Sequence, residues 1–378
     1  MTAGIFCIRE VKCMKEIRID APQTVIWRNP ASIFKYNGWP SICRDERGTM
    51  YVTASSFRIQ HVDPSGKNAM FVSFDDGHTW SKPIILNDSR LDDRDTGIVS
   101  LGGGHMIATW FSERTDDSYP KNPGFSAVGI EDRETILGLM NVYRYMKPEY
   151  QKHGSYVIVS DDWGFSWSDP IRVPMTAPHG PNRLSGNRAI YLGKDFEPCE
   201  DGTQKVRCWI SADWGRTWEQ KGTLPLPADH EWYYFHEPHV VELPGGRLFG
   251  ALRVGRPMIP NETCYTTYSD DWGTTWSEPK FIGIRGLPPH LLLHSSGALI
   301  LSYCDRGGAP KTERACVSYD CGETWEEDYV IDDKNTFCDL GYPATAECAD
   351  GSLFTVYYQA LPGENFPVVM GTRWRLSR

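Results

Sequence analysis

The chain has no stretch approaching the ~18 apolar residues that a membrane-spanning helix requires. Its first residues lack the apolar core of a signal peptide, because Arg9, Glu10, Lys12, Lys15 and Glu16 interrupt them. The expectation is a soluble, cytoplasmic protein without membrane contact. There is no Cys-x-x-Cys pair and no Cys/His cluster with zinc spacing. The 11 cysteines are odd in number and scattered, several inside apparent strands, so buried free thiols are expected and not a disulfide framework. No long basic run is present, and 49 acidic against 39 basic residues give a formal net charge of -10. That balance argues against nucleic acid as a partner, while leaving room for a local basic pocket.

The 378 residues, 40% of them hydrophobic, are ample for a core and numerous for one ordinary domain. With Gly 35, Pro 26 and Trp 14, the composition is that of a turn-rich all-β protein. An eight-residue phrase recurs five times: Ser73–Trp80, Ser160–Trp167, Ser211–Trp218, Ser269–Trp276 and Ser318–Trp325. The shared pattern is Ser-x-Asp-x-Gly-x-Thr/Ser-Trp. Asp followed two residues later by Gly is turn chemistry: the carboxylate takes nearby backbone N–H groups and Gly supplies a positive φ. The closing Trp is an apolar plug under the turn. A β-like run precedes each copy, so each phrase reads as a hairpin turn and a structural staple, not a catalytic motif.

A second repeat precedes these turns: an apolar run, a tight glycine turn, then another strand. Its six copies begin near Trp39, Asp95, Pro178, Glu237, Pro288 and Tyr342, with turns at Gly48, Gly103, Gly186, Gly245, Gly297 and Gly351. Repeats of this period indicate a propeller or array. The expected architecture is a single six-bladed β-propeller over 1–378. The segment around Thr24–Trp27 is expected to supply the last strand of the sixth blade and protect its edge. Ile136, Leu137, Met140, Tyr143 and Met146 have helical spacing. They predict a helical insertion in blade two, over about 125–152, with a packing role or a role covering the pocket mouth.

Residues equally far from a hairpin turn are cross-strand neighbours. On that rule Glu237 pairs with Arg253, Tyr342 with Tyr358, Asp95 with Phe111, and Pro178 with Lys194. Asp95, Glu237 and Tyr342 then occupy equivalent positions on three innermost strands and converge on the axis.

The Ser-x-Asp-x-Gly-x-Thr-Trp phrases resemble the Asp-boxes of the sialidase (neuraminidase) superfamily, and the resemblance covers nearly the whole chain. Glu237-Pro-His-Val-Val-Glu-Leu-Pro-Gly-Gly-Arg-Leu, ending at Arg253, is similar to the sialidase segment carrying a catalytic Glu and an arginine of the carboxylate-binding triad. Gly341-Tyr342-Pro343, followed by Asp350-Gly351, is similar to the segment carrying the nucleophilic Tyr. The resemblance implies that Glu237 draws the proton from Tyr342 while Arg253 holds a substrate carboxylate. A neutral phenol suits a sugar with a carboxylate on its anomeric carbon, because that carboxylate repels an anionic nucleophile. No cofactor and no metal are implied.

The chain departs from the pattern. The first-blade arginine is absent from Asn37-Gly38-Trp39-Pro40, and Tyr358 stands where a bracing Glu is common. Phe57-Arg58-Ile59 matches the second-strand arginine near the sialidase acid/base, and Asp63 is nearest to the Asp that follows it. Asp95 is the candidate acid/base by register. Arg94 is read as an anion ligand or a partner of Asp92 or Asp93, and Arg306 as a pocket arginine or a surface ion pair. Arg314 is less well placed. His179, His236, His239 and His290 suit sugar contact or proton transfer and lack metal-ligand spacing. Trp39 is a sugar platform or plain packing. The implied activity is exo-hydrolysis of a terminal acidic sugar on an oligosaccharide or glycoconjugate. A non-sialic glycosidase, a uronate lyase on the same propeller and a non-catalytic carbohydrate-binding propeller are the alternatives.

Overall fold

The computed structural model describes residues 14–114, 129–147, 152–255, 263–335 and 337–377. Six antiparallel sheets surround one axis. Blade I runs inside to outside through Tyr36–Arg44, Met50–Arg58, Lys67–Ser73 and Ile84–Asn87. Blade II begins at Asp92–Gly102, blade IV at Phe235–Glu242, blade V at Leu287–Leu293 and blade VI at Gly341–Glu347. Blade III has a split inner edge, Met175–Thr176 and Asn182–Leu184, on the strand Arg188–Asp195. The inner strand of each blade packs against that of the next, and blade VI meets blade I.

The apolar core follows this geometry as one cluster per blade interface. Ile98 and Met106 of blade II pack on Tyr51 and Met70 of blade I. Phe354 and Val356 of blade VI pack on Val52 and Phe71 of blade I. The ring therefore closes through an interface of the same kind as the others. The closing strand is Gln23–Trp27, antiparallel to Pro367–Trp374, as expected from the sequence. A second contribution was not foreseen: Lys15–Arg18 adds a parallel fifth strand to the outer edge of blade V, beside Glu327–Asp332.

The repeated phrases form the outer turns. In the third copy Asp213 Oδ1 accepts from Ser211 Oγ and from the Thr217 N–H, each at 2.8 Å, and Thr217 Oγ1 donates to Oδ2 at 2.6 Å. Ser211 Oγ also accepts from the Gly215 N–H at 2.8 Å. Both Trp214 and Gly215 have positive φ, 64° and 91°, so the turn uses two left-handed residues and only the second is glycine. The described cysteines are free thiols, and Cys208, Cys264, Cys304, Cys316 and Cys348 are buried.

The inserted helix spans Ile130–Arg144, with Glu131 and Asp132 in its first turn and Arg144 in its last, signs that suit the helix dipole. Residues 125–128 and 148–151 of the expected insertion and the side chain of Tyr143 lie outside the described residues. Ile136 and Met140 are buried against Ile59, Phe34 and Val62. The helix thus clamps the loop after the second strand of blade I. No helix among the described residues is long and apolar enough to cross a membrane.

The inner-strand register differs from the expectation by one residue in blades II, IV and VI, for one reason: Arg253 lies opposite His236, Tyr358 opposite Gly341, and Phe111 opposite Arg94. In blade III the difference is two residues, Lys194 lying opposite Thr176 where the inner edge is split. In blades I, II, IV, V and VI two inner residues then face one partner: 39–40, 95–96, 237–238, 288–289 and 342–343. This is a β-bulge repeated around the ring. Pro40, Pro238, Pro289 and Pro343 occupy it, and a proline has no N–H to give the ladder.

Candidate active site

The bulge aims the site. Trp39, Asp95, Glu237 and Tyr342 each precede its second residue and each has left-handed φ: 51°, 58°, 49° and 54°. Left-handed backbone is unfavourable for residues with a Cβ, and such strain concentrates where a side chain must be aimed. Four blades thereby turn one side chain each toward the axis.

Three of the predicted residues touch. Tyr342 Oη donates to Glu237 Oε1 at 2.5 Å. Arg253 Nη1 donates to both Glu237 oxygens at 2.9 Å. Burial opposes the Glu237 charge, yet the Arg253 guanidinium and the hydrogen bonds from Tyr342 and Arg253 outweigh it, and the carboxyl is held below its ordinary value. Burial, and then the Glu237 and Asp95 charges, push the Tyr342 phenol well above its ordinary value, although Arg253 and Arg306 pull the other way. At rest the pair is a neutral phenol on a carboxylate. Asp95 is a fourth residue near them, its carboxyl pushed up to about 7 by burial, against Arg94 and with help from the Glu237 charge.

Arg306 lies over the Tyr342 ring, 6.0 Å from its centroid. Its Nε donates to the Leu340 carbonyl at 3.0 Å and its Nη2 to Tyr358 Oη at 3.4 Å. It therefore belongs to the pocket and not to a surface ion pair. Arg314 lies away in blade V, bound to Asp328 and Glu16.

Other candidates sit differently from their expected roles. Arg58 is fully buried, pairs with Asp92, and donates to the Asp93 carbonyl at 3.0 Å and the His61 carbonyl at 2.9 Å. Trp39 lies on its guanidinium, 5.0 Å from ring centroid to Cζ. Arg58 thus organises the wall, because its fork is already occupied inside the protein. Trp39 is only 2% exposed, packed among Tyr36, Tyr342 and Tyr358, which makes it a packing residue of the wall and not an open platform. Arg94 pairs with Asp92 at 3.0 Å and stacks on Phe111.

His179 is buried on the axis beneath Tyr342, with ring centroids 6.4 Å apart. His239 and His290 stack beside it, and burial pushes all three imidazoles down. They floor the site and line a cavity of about 420 Å³ that continues along the axis, next to Ile42, Val99 and Ala346, with every blade contributing to its wall. Among the described residues no group of His, Cys, Asp and Glu could hold a metal ion. His236 does reach the rim, where its Nδ1 accepts from Lys194 Nζ at 3.3 Å.

Two rim residues escaped the sequence reading. His61, half exposed, has its Nδ1 2.8 Å from Asp339 Oδ2 and meets the Trp39 ring edge-on at 4.8 Å. Asp339 also accepts from Tyr36 Oη at 2.6 Å and Tyr358 Oη at 2.7 Å. Burial opposes the Asp339 charge, but these hydrogen bonds and the His61 interaction hold its carboxyl down at about 2. Asp63 instead caps the loop, accepting from the Ile59 N–H at 2.8 Å and the Ser65 N–H at 2.6 Å. No sequence signal links His61 to Asp339, which lie 278 residues apart.

The fold is shared with solved structures of low sequence identity. A protein of unknown function from Dyadobacter fermentans superposes with a TM-score of 0.74 at 20% identity, covering 94% of this chain and 98% of that one. The intramolecular trans-sialidase of Ruminococcus gnavus superposes with a TM-score of 0.62 at 15% identity, covering 93% and 97%. Among curated proteins, Xyloglucanase Xgh74A of Acetivibrio thermocellus is 23% identical over 271 residues, 57% of this chain. The chain spans 30% of that enzyme's length, and only 5% of the length of Vacuolar protein sorting/targeting protein 10 of Zygosaccharomyces rouxii, with which it shares 34% identity over 93 residues. A family model for a BNR repeat-like domain matches residues 128–355, more than half of the chain, and the protein belongs to that family, on the six-bladed propeller of the sialidases.

Proposed function

We propose that the protein is an exo-acting glycoside hydrolase that releases a terminal acidic sugar by way of a tyrosyl intermediate. The observation that carries this reading is the contact of Tyr342 with Glu237, itself held by Arg253. Tyr342 Oη attacks the anomeric carbon while its proton passes to Glu237, so no free phenolate need form in a buried site. Asp95, protonated near neutrality, gives its proton to the leaving oxygen and later takes one from the attacking water. Arg253 and Arg306 bind the sugar carboxylate, for which a planar guanidinium is suited. With Trp39 in place of the first-blade arginine, two arginines carry that task, and the glycone differs in shape or charge placement from that of an ordinary sialidase.

Fluorophore release from 4-methylumbelliferyl glycosides of sialic, uronic and deoxy sugars tests this, with Tyr342→Phe beside wild type. Release from an acidic donor that the variant fails to give supports the reading. Release from neutral donors alone would move the specificity. No release from any donor, with an unsaturated product absorbing in the near ultraviolet from a uronate polymer, would replace hydrolysis by elimination.

A further inference from the structure

Beside the pocket, between blades III and IV, lies a groove of about 380 Å³ whose lining includes Lys194, Gln204, His230, Trp232 and Tyr233, with Glu231 as its one carboxylate. That volume is within the range small ligands occupy. Lys194 joins groove to pocket: its ammonium contacts His236, the residue before Glu237 and the cross-strand partner of Arg253. Among the described residues no carboxylate lies within ion-pair distance of Lys194, and burial pushes its amine down to about 8, with only the Glu237 charge opposing. A partly desolvated cation without a counter-charge favours an anionic ligand. On the other wall Tyr233 is 76% exposed, and its ring stands edge-on to His236. Such a ring offers an apolar face and a wet hydroxyl, a surface matched to the face of a sugar.

We infer that this groove is a second saccharide subsite, and that it takes a sugar whose carboxylate pairs with Lys194, next to the sugar held over Tyr342. The inference rests on the glycosidase reading for the identity of the neighbouring site. The subsite selects acidic oligosaccharides: Lys194 supplies the charge recognition, and Trp232 and Tyr233 the stacking.

The test is calorimetric titration of protein carrying Tyr342→Phe, so that nothing turns over. The probes are digalacturonate and its ester methylated on the reducing-end sugar alone, and a disialyl saccharide and sialyllactose, so that each pair differs in the second sugar's carboxylate and not in the first's. At least one acidic probe is expected to bind ten-fold or more tighter than its less acidic counterpart. Lys194→Met should abolish that preference and Lys194→Arg restore it. Tyr233→Ala should weaken both members of the pair alike while keeping the preference, which guards against a misfolded Lys194 variant. Equal binding of both members of each pair, no binding of any probe, or a preference that survives in Lys194→Met would overturn the inference. If wild type turns over no glycoside yet the Lys194-dependent preference is present, the subsite stands and the hydrolase reading falls.

Discussion

At the scale of single residues, the site combines a strained backbone with opposed electrostatic demands. Asp95 shows the consequence most directly. Its folded-state value, about 7, lies above the ordinary carboxyl value of 3.8, so the folded protein favours the protonated form. The stability this contributes is complete below about pH 4 and is lost as pH rises through about 7. Asp95→Asn should therefore unfold at a higher temperature than wild type at pH 8, with the difference shrinking toward pH 4, as read by calorimetry. If Asp95 is the acid, the same variant should lose roughly 10²–10⁴-fold in kcat/KM on substrates with poor leaving groups, and should lack the fall in rate above about pH 7. A variant that is both less stable at pH 8 and unchanged in pH profile would remove Asp95 from the mechanism. The three charged contacts of Glu237 also explain why its strain is tolerated: Tyr342 and Arg253 hold its side chain in place against the left-handed φ.

Among the elements, the bulge and the outer turn have separate tasks, and they separate in experiment. The outer turn is a staple. Asp213→Ala removes acceptors for the Thr217 N–H and two hydroxyls, at a cost of about 1–3 kcal/mol in urea denaturation. The kcat of the folded fraction should be unchanged, because the turn lies at the outer part of blade III. The bulge is where sequence reasoning stopped short. Counting from each glycine turn located Asp95, Glu237 and Tyr342 on equivalent strands, yet paired them one residue out of register. The prolines after Trp39, Glu237 and Tyr342 were the signal that could have corrected it, since each denies the ladder a donor. The roles of Arg58 and Trp39 were not legible in the same way. Both depend on tertiary contacts: the stacking of Trp39 on the Arg58 guanidinium, and the pairing of Arg58 with Asp92 across two blades.

For the whole molecule, closure of the ring is the decisive feature, and here the sequence was informative: six glycine turns, five outer turns and a short N-terminal β-run specify a propeller that needs the strand Gln23–Trp27 to finish its last blade. The partner of the loop carrying His61 was not legible, because Asp339 belongs to a different blade and meets it only after closure. The Gln23–Trp27 strand buries Ile26 against Val369 and Phe354 and pairs with the edge of Pro367–Trp374. A variant lacking residues 1–28 should lose roughly 4 kcal/mol or more of stability and self-associate through the exposed edge, visible by denaturation and size-exclusion chromatography. Retained stability and a monomer would show that the ring closes without that strand.

The most direct measurement is mass spectrometry of the intact protein and its peptides after reaction with a fluorinated, activated analogue of the sugar it releases, since fluorine beside the anomeric carbon slows both steps while the activated leaving group restores the first. The expected result is one sugar mass on the peptide carrying Tyr342, absent in Tyr342→Phe and slow to form in Glu237→Gln. A label on Asp95 or Glu237, or turnover of the parent glycoside by Tyr342→Phe at the wild-type rate, would contradict a tyrosyl intermediate at this site.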